Sequence, residues 1–362
     1  MSDISLMKGN EALAEAAIRA GAQAYFGYPI TPQSEILEYL AGEGRRRGMI
    51  VLQAESEVAA INMIYGAAGA GARVFTSSSS PGISLMQEGL SYIASAELPC
   101  LVVNVNRGGP GLGTIQPSQG DYFQATKGGG HGDYRLIVLA PSSVQEMADF
   151  VFDAFDLADT YRNPAMILAD GALGQMMEKV EFHPYTPKDH IPPKPWATTG
   201  KTRDRERNII TSLHIQPEKM EQINLRLQAK YKQIVEKEVR FETVLTEDAE
   251  CLLVAYGLVA RIAHRAVELL RAEGIKAGLL RPITLYPFPY IPIAKLASKV
   301  SGTLVVEMNA GQMVEDVRLG VEGRCPVEFY GRMGGIVPSP DEVVQATKNM
   351  LAHRVAQHAE AY

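Results

Sequence analysis

The sequence feature that most constrains the fold is a regular alternation, from residue 9 to about residue 170, of short β-branched runs with helical stretches rich in small residues. Most of the short runs are apolar on both faces, which is typical of parallel strands buried between two layers of helices. We predict strands at residues 24–28, 49–53, 73–77, 100–106, 136–139 and 165–169. We predict helices at residues 9–20, 32–40, 57–71, 82–94 and 144–159. The expected fold class is α/β, with a doubly wound, mostly parallel sheet in a first domain of residues 1–182.

Residues 183–248 differ in composition and are predicted to be a linker. Several prolines fall between residues 184 and 195, and a heavily charged stretch follows. For the Pro-rich half, a flexible tether and a packed segment both stay open. Residues 217–239 carry apolar side chains at helical spacing, which predicts one long amphipathic helix lying on a neighbouring surface.

The alternation resumes after the linker and predicts a second, smaller α/β domain at residues 249–362. Strands are expected at residues 251–255, 277–280, 303–306 and 327–330. Helices are expected at residues 261–273 and 341–353.

Composition and missing motifs exclude several function classes. The 35 Lys and Arg residues against 41 Asp and Glu residues give a formal net charge of −6, so we expect no nucleic-acid partner. No apolar stretch approaches the roughly 20 residues of a membrane-spanning helix, and no export signal begins the chain, so we expect a cytoplasmic protein without a membrane partner. The G-x-G-x-x-G and phosphate-loop motifs of nucleotide enzymes are absent from the sequence.

Cysteine usage excludes another group of sites. Cys100, Cys251 and Cys325 lie far apart, without a C-x-x-C pair. A disulfide framework, a four-cysteine zinc site and an iron–sulfur cluster held by this chain alone are therefore not expected. No His, Asp and Glu grouping has metal-ligand spacing either, so we predict no metal site.

The first candidate segment is G-Y-P-I-T-P-Q-S-E at residues 27–35. Thr31 is predicted as the N-cap of a helix and Pro32 as its first residue, where a missing N–H costs nothing. A helix N-terminus would then open at the carboxyl edge of the sheet, where it favours an anion. A well-capped helix without a ligand is the alternative.

Two further segments place charged side chains at the same predicted edge. Glu55 and Glu57 fall between a buried strand and an Ala-rich helix, and Glu57 begins that helix, where the helix dipole alone would stabilise a carboxylate. Arg107 directly follows the strand at residues 100–106 and either clamps a carboxylate or makes an ordinary surface ion pair. The loop at residues 108–132, rich in Gly, Gln and Ser, is predicted to pack against another surface.

In combination these motifs resemble one family. Y-P-I-T-P-Q-S-E at 28–35, E-S-E-V-A-A at 55–60, S-S-P-G-I-S-L-M at 79–86 and N-V-N-R-G-G-P at 104–110 are similar to motifs of the thiamine-diphosphate-dependent 2-oxoacid:ferredoxin oxidoreductases. The resemblance is to the alpha-type subunit of the branched-chain (2-oxoisovalerate) and 2-oxoglutarate enzymes. R-P-I-T-L-Y-P-F-P at 281–289 and V-E-M-N-A-G-Q-M at 306–313 resemble the transketolase-C-terminal-like domain of that family.

The resemblance implies roles for individual residues. The first domain would be the pyrimidine-binding half of a thiamine site, with Tyr28, Pro29 and Ile30 beside the cofactor. Glu57 matches the catalytic glutamate that bonds N1′ of the aminopyrimidine, and sharing a proton there favours the imino tautomer that deprotonates the thiazolium C2.

Two more residues would form the substrate site. Thr31 matches the threonine that contacts the substrate. Arg107 matches the arginine that holds the carboxylate of the 2-oxoacid.

The resemblance also implies partners, because this chain lacks the G-D-G…N segment that binds diphosphate and Mg²⁺. The nearest match, Ala169-Asp170-Gly171, lacks the first glycine and the asparagine. We therefore expect a diphosphate-binding thiamine subunit that holds Mg²⁺, an iron–sulfur ferredoxin-like subunit, a gamma-type subunit and external ferredoxin, with coenzyme A as co-substrate. The loop at 108–132 and the helix at 82–94 are predicted to contact such a partner or to pack within the chain.

The implied activity is oxidative decarboxylation of a 2-oxoacid to acyl-CoA and CO₂ with reduction of ferredoxin. The residues in these motifs resemble those of the branched-chain enzymes more than those of the 2-oxoglutarate enzymes, which favours a branched-chain substrate. Two other hypotheses stay open: the beta-type subunit of a lipoate-linked 2-oxoacid dehydrogenase, and a non-catalytic assembly subunit that retains the fold.

Overall fold

The computed structural model describes residues 3–201 and 203–360, and their strands form a seven-stranded sheet, a five-stranded sheet and a two-stranded ribbon. In chain order the strands are β1 Asp3–Lys8, β2 Ala24–Gly27, β3 Ile50–Gln53, β4 Val74–Ser78, β5 Cys100–Asn106, β6 Ile137–Leu139, β7 Pro164–Asp170, β8 Met177–Phe182, β9 Phe241–Val244, β10 Cys251–Val254, β11 Ala277–Pro282, β12 Thr284–Tyr286, β13 Thr303–Glu307 and β14 Val327–Gly331. The helices are α1 Gly9–Arg19, α2 Ser34–Tyr39, α3 Glu57–Gly69, α4 Ser80–Ser95, α5 Val144–Tyr161, α6 Gly171–Gln175, α7 Pro187–His190, α8 Pro217–Lys237, α9 Gly257–Ala272, α10 Tyr290–Ala297, α11 Met313–Val321 and α12 Pro340–Glu360, with π-helical turns at Leu40–Gly44 and Gln124–Gly128.

The larger sheet has the strand order β12-β6-β7-β5-β4-β2-β3. Every neighbouring pair in it is parallel except β12 with β6. Strands β4, β5 and β7 are buried along their whole length. The predicted α/β class and the mostly parallel sheet are confirmed.

The two faces of this sheet pack against different helices. Leu101 and Val103 of β5 belong to the core that includes α1, α2 and α5, whereas Val102 belongs to the core that includes α3 and α4. Helices α3 and α4 lie close together at Gly89, because a Cβ there would fall 2.6 Å from Cγ2 of Ile61. The sheet is thus covered by helices on both faces.

The smaller sheet has the order β14-β13-β10-β11-β9, with β9 antiparallel to β11 and the other pairs parallel. Its connection to the larger sheet is covalent and direct, because β12 follows β11 and pairs with β6. Arg281 of β11 reinforces this joint: its Nη2 lies 2.7 Å from Glu146 of α5, and its Nη1 donates to Ser142 at 2.7 Å.

The predicted linker contains more regular structure than expected. Its strand β9, which the sequence did not predict, is an edge of the smaller sheet. The long helix is α8, and its buried side chains are Ile223, Leu227, Tyr231 and Ile234. The Pro-rich half packs on the first domain through the fully buried Arg73, which bonds Asp156, Asp159 and the hydroxyl of Tyr185 at 2.8, 2.9 and 3.0 Å.

The ribbon of β1 and β8 was not predicted either, because β8 carries charged residues and β1 has no continuous apolar run. No helix within residues 3–201 and 203–360 is long and apolar enough to cross a membrane. Over the same residues, no group of three or more His, Cys, Asp or Glu side chains is arranged to hold a metal ion.

Candidate active site

The candidate site lies where the parallel strands β3, β2, β4 and β5 end. Because the carboxyl ends of neighbouring parallel strands meet at one edge, the segments that follow them converge there, where open α/β sheets bind ligands. The backbone N–H of Ala54, just after β3, donates to the carbonyl of Gly27 at the end of β2 at 2.9 Å. The segments after β2 and β3 are therefore joined at this edge.

The turn after β2 differs from the prediction. The helix begins at Ser34 with Gln33 as its N-cap, not with Thr31 as N-cap and Pro32 as first residue. Residues 30–33 instead form a turn, in which the Gln33 N–H donates to the Ile30 carbonyl at 3.1 Å. The predicted N-cap at Thr31 and helix start at Pro32 are therefore wrong, while anion binding at this edge stays a prediction.

Hydrogen bonds from buried side chains stabilise this turn. Gln33 is fully buried, and its Oε1 accepts a hydrogen bond from Ser77 Oγ at 2.6 Å. Its Nε2 donates to the Tyr28 carbonyl at 3.2 Å, and Ser77 Oγ also lies 2.7 Å from the Tyr25 hydroxyl. Neither Gln33 nor Ser77 was predicted as a site residue, although Gln33 stands inside the motif at residues 28–35 and Ser77 ends the predicted strand at residues 73–77.

Arg107 joins this turn to the loop that follows β5. Its Nη1 donates to the Thr31 carbonyl at 2.9 Å and its Nη2 to the Leu112 carbonyl at 3.0 Å. The side chain is buried, and no ion pair to it forms among the described residues, so the surface ion pair is the wrong alternative. Its Nε–H is also buried and has no partner in the described part of the chain.

The structure thus brings Thr31 and Arg107 together, as predicted, but through the backbone carbonyl of Thr31. The Thr31 side chain is exposed and free to face a ligand. Tyr28 and Pro29 are exposed on the same turn, and Ile30 is half-buried. Their predicted contact with a cofactor stays a prediction.

Glu57 is the first residue of α3, and Ser56 is the N-cap, with its Oγ accepting from the Ala59 N–H at 3.1 Å. The Glu57 side chain is 5% exposed. A Cβ on Gly82 of α4 would fall 2.5 Å from Glu57 Oε1 and 2.0 Å from Ser78 Oγ. The carboxyl group therefore occupies space that exists only because residue 82 has no side chain.

No hydrogen bond or ion pair to the Glu57 carboxyl forms among the residues that the structure describes. The neighbouring Ser78 Oγ is buried and likewise has no partner there. Buried polar groups are normally paired, since leaving one unpaired costs about 1–3 kcal/mol. Glu57 and Ser78 therefore fit a ligand with a polar N–H group, such as a protonated ring nitrogen. Glu55, in contrast, is exposed.

Asp170, the nearest match to a diphosphate-binding motif, has a structural role. Its Oδ1 accepts hydrogen bonds from the N–H groups of Ala172 and Leu173 at 2.9 and 3.2 Å and so caps α6. Burial raises its pKa to about 6, against the opposing effect of these bonds. In this structure Asp170 is thus the N-cap of α6.

The second half of the loop at 108–132 packs within the chain. The Gln119 side chain donates to the Tyr256 carbonyl at 2.9 Å and accepts from the Met308 N–H at 3.0 Å. The Tyr122 hydroxyl donates to Asp316 at 2.6 Å. For this half of the loop, intrachain packing is the correct alternative.

Glu307, in the V-E-M-N motif of the second domain, also has a structural role. Its carboxyl accepts the N–H groups of Gln312, Met313 and Val314 at 3.2, 2.8 and 3.0 Å. Burial raises its pKa. The carboxyl caps α11 and does not face the candidate site.

Comparison with known proteins covers nearly the whole chain. Residues 15–242 match the family described as pyruvate flavodoxin/ferredoxin oxidoreductase, thiamine diphosphate-binding, and residues 249–343 match pyruvate:ferredoxin oxidoreductase core domain II. The chain is 53% identical to ketoisovalerate oxidoreductase subunit VorB of Methanothermobacter thermautotrophicus over 91% of this chain and 93% of that one. It is 37% identical to 2-oxoglutarate synthase subunit KorA of the same organism over 97% of this chain and all of that one.

A solved structure agrees with these similarities. The chain resembles the 2-oxoglutarate:ferredoxin oxidoreductase of Magnetococcus marinus, solved with 2-oxoglutarate, coenzyme A and succinyl-CoA bound, with a TM-score of 0.83 and 28% identity. The match covers 96% of this chain and 65% of that longer chain.

Proposed function

Because the chain belongs to the thiamine-diphosphate-binding pyruvate flavodoxin/ferredoxin oxidoreductase family, as an alpha-type subunit of a 2-oxoacid:ferredoxin oxidoreductase, we propose that it serves a branched-chain enzyme. That enzyme converts 2-oxoisovalerate and coenzyme A to the acyl-CoA and CO₂ and reduces ferredoxin. The branched-chain substrate is supported by the 53% identity to VorB against 37% to KorA.

The observation that carries the thiamine-binding part of this proposal is the Glu57 carboxyl beside Gly82, at the same sheet edge as Arg107. Glu57 is only 5% exposed, and its carboxyl forms no hydrogen bond or ion pair among the described residues. A carboxyl that lacks a partner within the described chain is suited to bind N1′ of an aminopyrimidine. Tyr28, Pro29 and Ile30 are proposed to border the ring from the neighbouring turn.

Each group of the chain then has a chemical task. When bound, thiamine diphosphate supplies the nucleophilic carbon that attacks the 2-oxoacid. Glu57 shares a proton with N1′ and so promotes loss of the proton at C2. Arg107 holds the carboxylate of the 2-oxoacid with N–H groups that its two carbonyl bonds leave free, and Thr31 contacts the substrate from the turn that Arg107 fixes.

Partner subunits must complete the site. We propose a thiamine subunit that binds the diphosphate and Mg²⁺, an iron–sulfur ferredoxin-like subunit, a gamma-type subunit and external ferredoxin. This division is supported by the sequence, which contains no G-D-G…N segment. The cysteines Cys100, Cys251 and Cys325 are buried free thiols, which supports a reducing, cytoplasmic location.

The 2-oxoglutarate enzyme is the second candidate, favoured by the similarity to KorA and to the Magnetococcus structure. The family match to ferredoxin-linked enzymes decides against the lipoate-linked dehydrogenase. The non-catalytic assembly subunit is tested below.

The test uses the enzyme complex purified with its partner subunits. Reduction of benzyl viologen is followed with 2-oxoisovalerate, 2-oxoglutarate, pyruvate and indolepyruvate, and we expect the highest kcat/KM with 2-oxoisovalerate. Glu57→Gln should lower turnover by at least about 100-fold. The matched control is Glu55→Gln, an exposed carboxylate two residues away, which should change turnover less than twofold. Equal turnover of Glu57→Gln and wild type would establish the non-catalytic subunit instead.

A further inference from the structure

The loop that follows Arg107 presents one large apolar side chain to solvent. Leu112 is 82% exposed, more than most leucines of a folded chain. It stands in the run Gly108-Gly109-Pro110-Gly111-Leu112-Gly113, and the remaining five residues of this run are all Gly or Pro. Leu112 therefore supplies the apolar side chain at the tip of this loop.

The backbone holds this loop in a defined shape. The N–H of Thr114 donates to the Gly108 carbonyl at 2.8 Å, and the N–H of Gly108 donates to the Gln116 carbonyl at 3.0 Å. Gly111 and Gly113 have φ values of +70° and +59°, and a Cβ on Gly113 would fall 1.7 Å from the Gly108 carbonyl oxygen. Because only glycine suits both positions, Leu112 is set in place by its neighbours.

The position of Leu112 is tied to the group that would hold the substrate. Nη2 of Arg107 lies 3.0 Å from the Leu112 carbonyl oxygen, and Nη1 lies 2.9 Å from the Thr31 carbonyl oxygen. The three residues form one hydrogen-bonded unit at the sheet edge. The Leu112 carbonyl thus links this exposed side chain to the guanidinium that is proposed to hold the carboxylate of the 2-oxoacid.

We propose that Leu112 is a specificity-determining residue that packs against the alkyl group of the 2-oxoacid. The inference rests on the proposed function and adds which side chain selects the substrate. Burying a branched alkyl group against an isobutyl side chain is favourable. The distal carboxylate of 2-oxoglutarate in the same place would find no cationic partner, because residues 108–113 carry no charge.

The test compares substrates in the purified complex, with Leu112→Ala, Leu112→Lys and a control. Leu319→Ala is the control, because Leu319 is also an exposed leucine, at 62%, but lies on α11 of the second domain. We measure kcat/KM for 2-oxoisovalerate, pyruvate and 2-oxoglutarate by benzyl viologen reduction.

Leu112→Ala should lower kcat/KM for 2-oxoisovalerate by about 10-fold while pyruvate changes less than about twofold, since a few missing methylene contacts change discrimination on this scale. Leu112→Lys should raise the ratio of 2-oxoglutarate to 2-oxoisovalerate kcat/KM by at least about 10-fold. The control should leave all ratios unchanged.

Two results would overturn the proposal. Unchanged substrate ratios in both Leu112 variants would show that the side chain does not contact the substrate. An equal fall for all substrates, with loss of partner subunits on gel filtration, would show that a partner covers Leu112. The proposed function fails separately, when the wild-type complex reduces benzyl viologen with none of the 2-oxoacids.

Discussion

At the scale of single residues, the site depends on a glycine at position 82, which has no side chain. Gly82 leaves room for the Glu57 carboxyl and the Ser78 hydroxyl, which crowd the place of its absent Cβ. The sequence marked Glu57 and Arg107 through their motifs, whereas the need for glycine at 82 appears only when α3 and α4 are packed together. Likewise, no local pattern reveals that Gln33 reaches Ser77, 44 residues away.

Gly82→Ala should therefore reduce activity through Glu57. The added methyl group would push the carboxyl away, and displacement of a catalytic group by about 1 Å costs on the order of 100-fold in rate. Turnover and thiamine diphosphate affinity of the complex measure the effect. The matched control is Gly66→Ala on α3, where a Cβ meets nothing within 4 Å. If the two variants retained the same activity, Glu57 would not need its observed position.

At the scale of secondary structure elements, hydrophobic periodicity located most strands, and the helices α1 to α5 and α8, within one or two residues. It placed the start of α9 four residues late and did not predict α10 or α11. It failed at the turn after β2, where Thr31-Pro32 has the pattern of a helix start. There, a hydrogen-bonded turn and the buried side chain of Gln33 outweigh the local capping preference, and the helix starts at Ser34. It also failed at β9, a short edge strand whose pairing is decided by β11.

The buried carboxyl of Asp170, at the junction of β7 and α6, should make the stability of the fold depend on pH. Burial raises its folded-state pKa from the ordinary 3.8 to about 6, so the native state binds a proton more tightly than the unfolded state. The contribution of Asp170 to the free energy of unfolding is fully present below about pH 4 and is lost as the pH rises through about 6. Asp170→Asn keeps an N-cap oxygen and removes this titration.

Relative to Asp170→Asn, the unfolding free energy of the wild type should fall by about 2 kcal/mol between pH 4 and pH 7. Urea unfolding at several pH values measures this difference. Asp204→Asn, at an exposed aspartate, is the control and should follow the wild type. Parallel pH profiles for wild type and Asp170→Asn would contradict the raised pKa.

At the scale of the whole molecule, the two sheets are joined more closely than a linker between domains implies. β12 leaves the second half of the chain to pair with β6, Arg281 bonds Glu146, and Gln119 reaches the backbone around Met308. The sequence indicated two α/β regions because each has its own alternation. The sequence could not indicate this joint, because hydrophobic periodicity carries no information on hydrogen bonds between residues more than 130 positions apart.

We therefore expect the two regions to unfold together. Arg281→Ala should lower the stability of both regions. The Arg281 side chain is 7% exposed, and removing it leaves Glu146 without its ion-pair partner, which should cost on the order of 2 kcal/mol. Calorimetry should show one transition, shifted to lower temperature. Arg265→Ala removes an exposed i,i+3 ion pair and should change little. Two separate transitions in the wild type would contradict the joint.

The central claim is that Glu57 holds the aminopyrimidine of a cofactor whose diphosphate is bound by another subunit. The most direct measurement is an experimental map of the assembled complex with thiamine diphosphate. The account predicts a Glu57 carboxyl oxygen within hydrogen-bond distance, about 2.6–3.2 Å, of N1′. A cofactor ring bound elsewhere, or a Glu57 side chain turned to solvent or paired within its own chain, would contradict it.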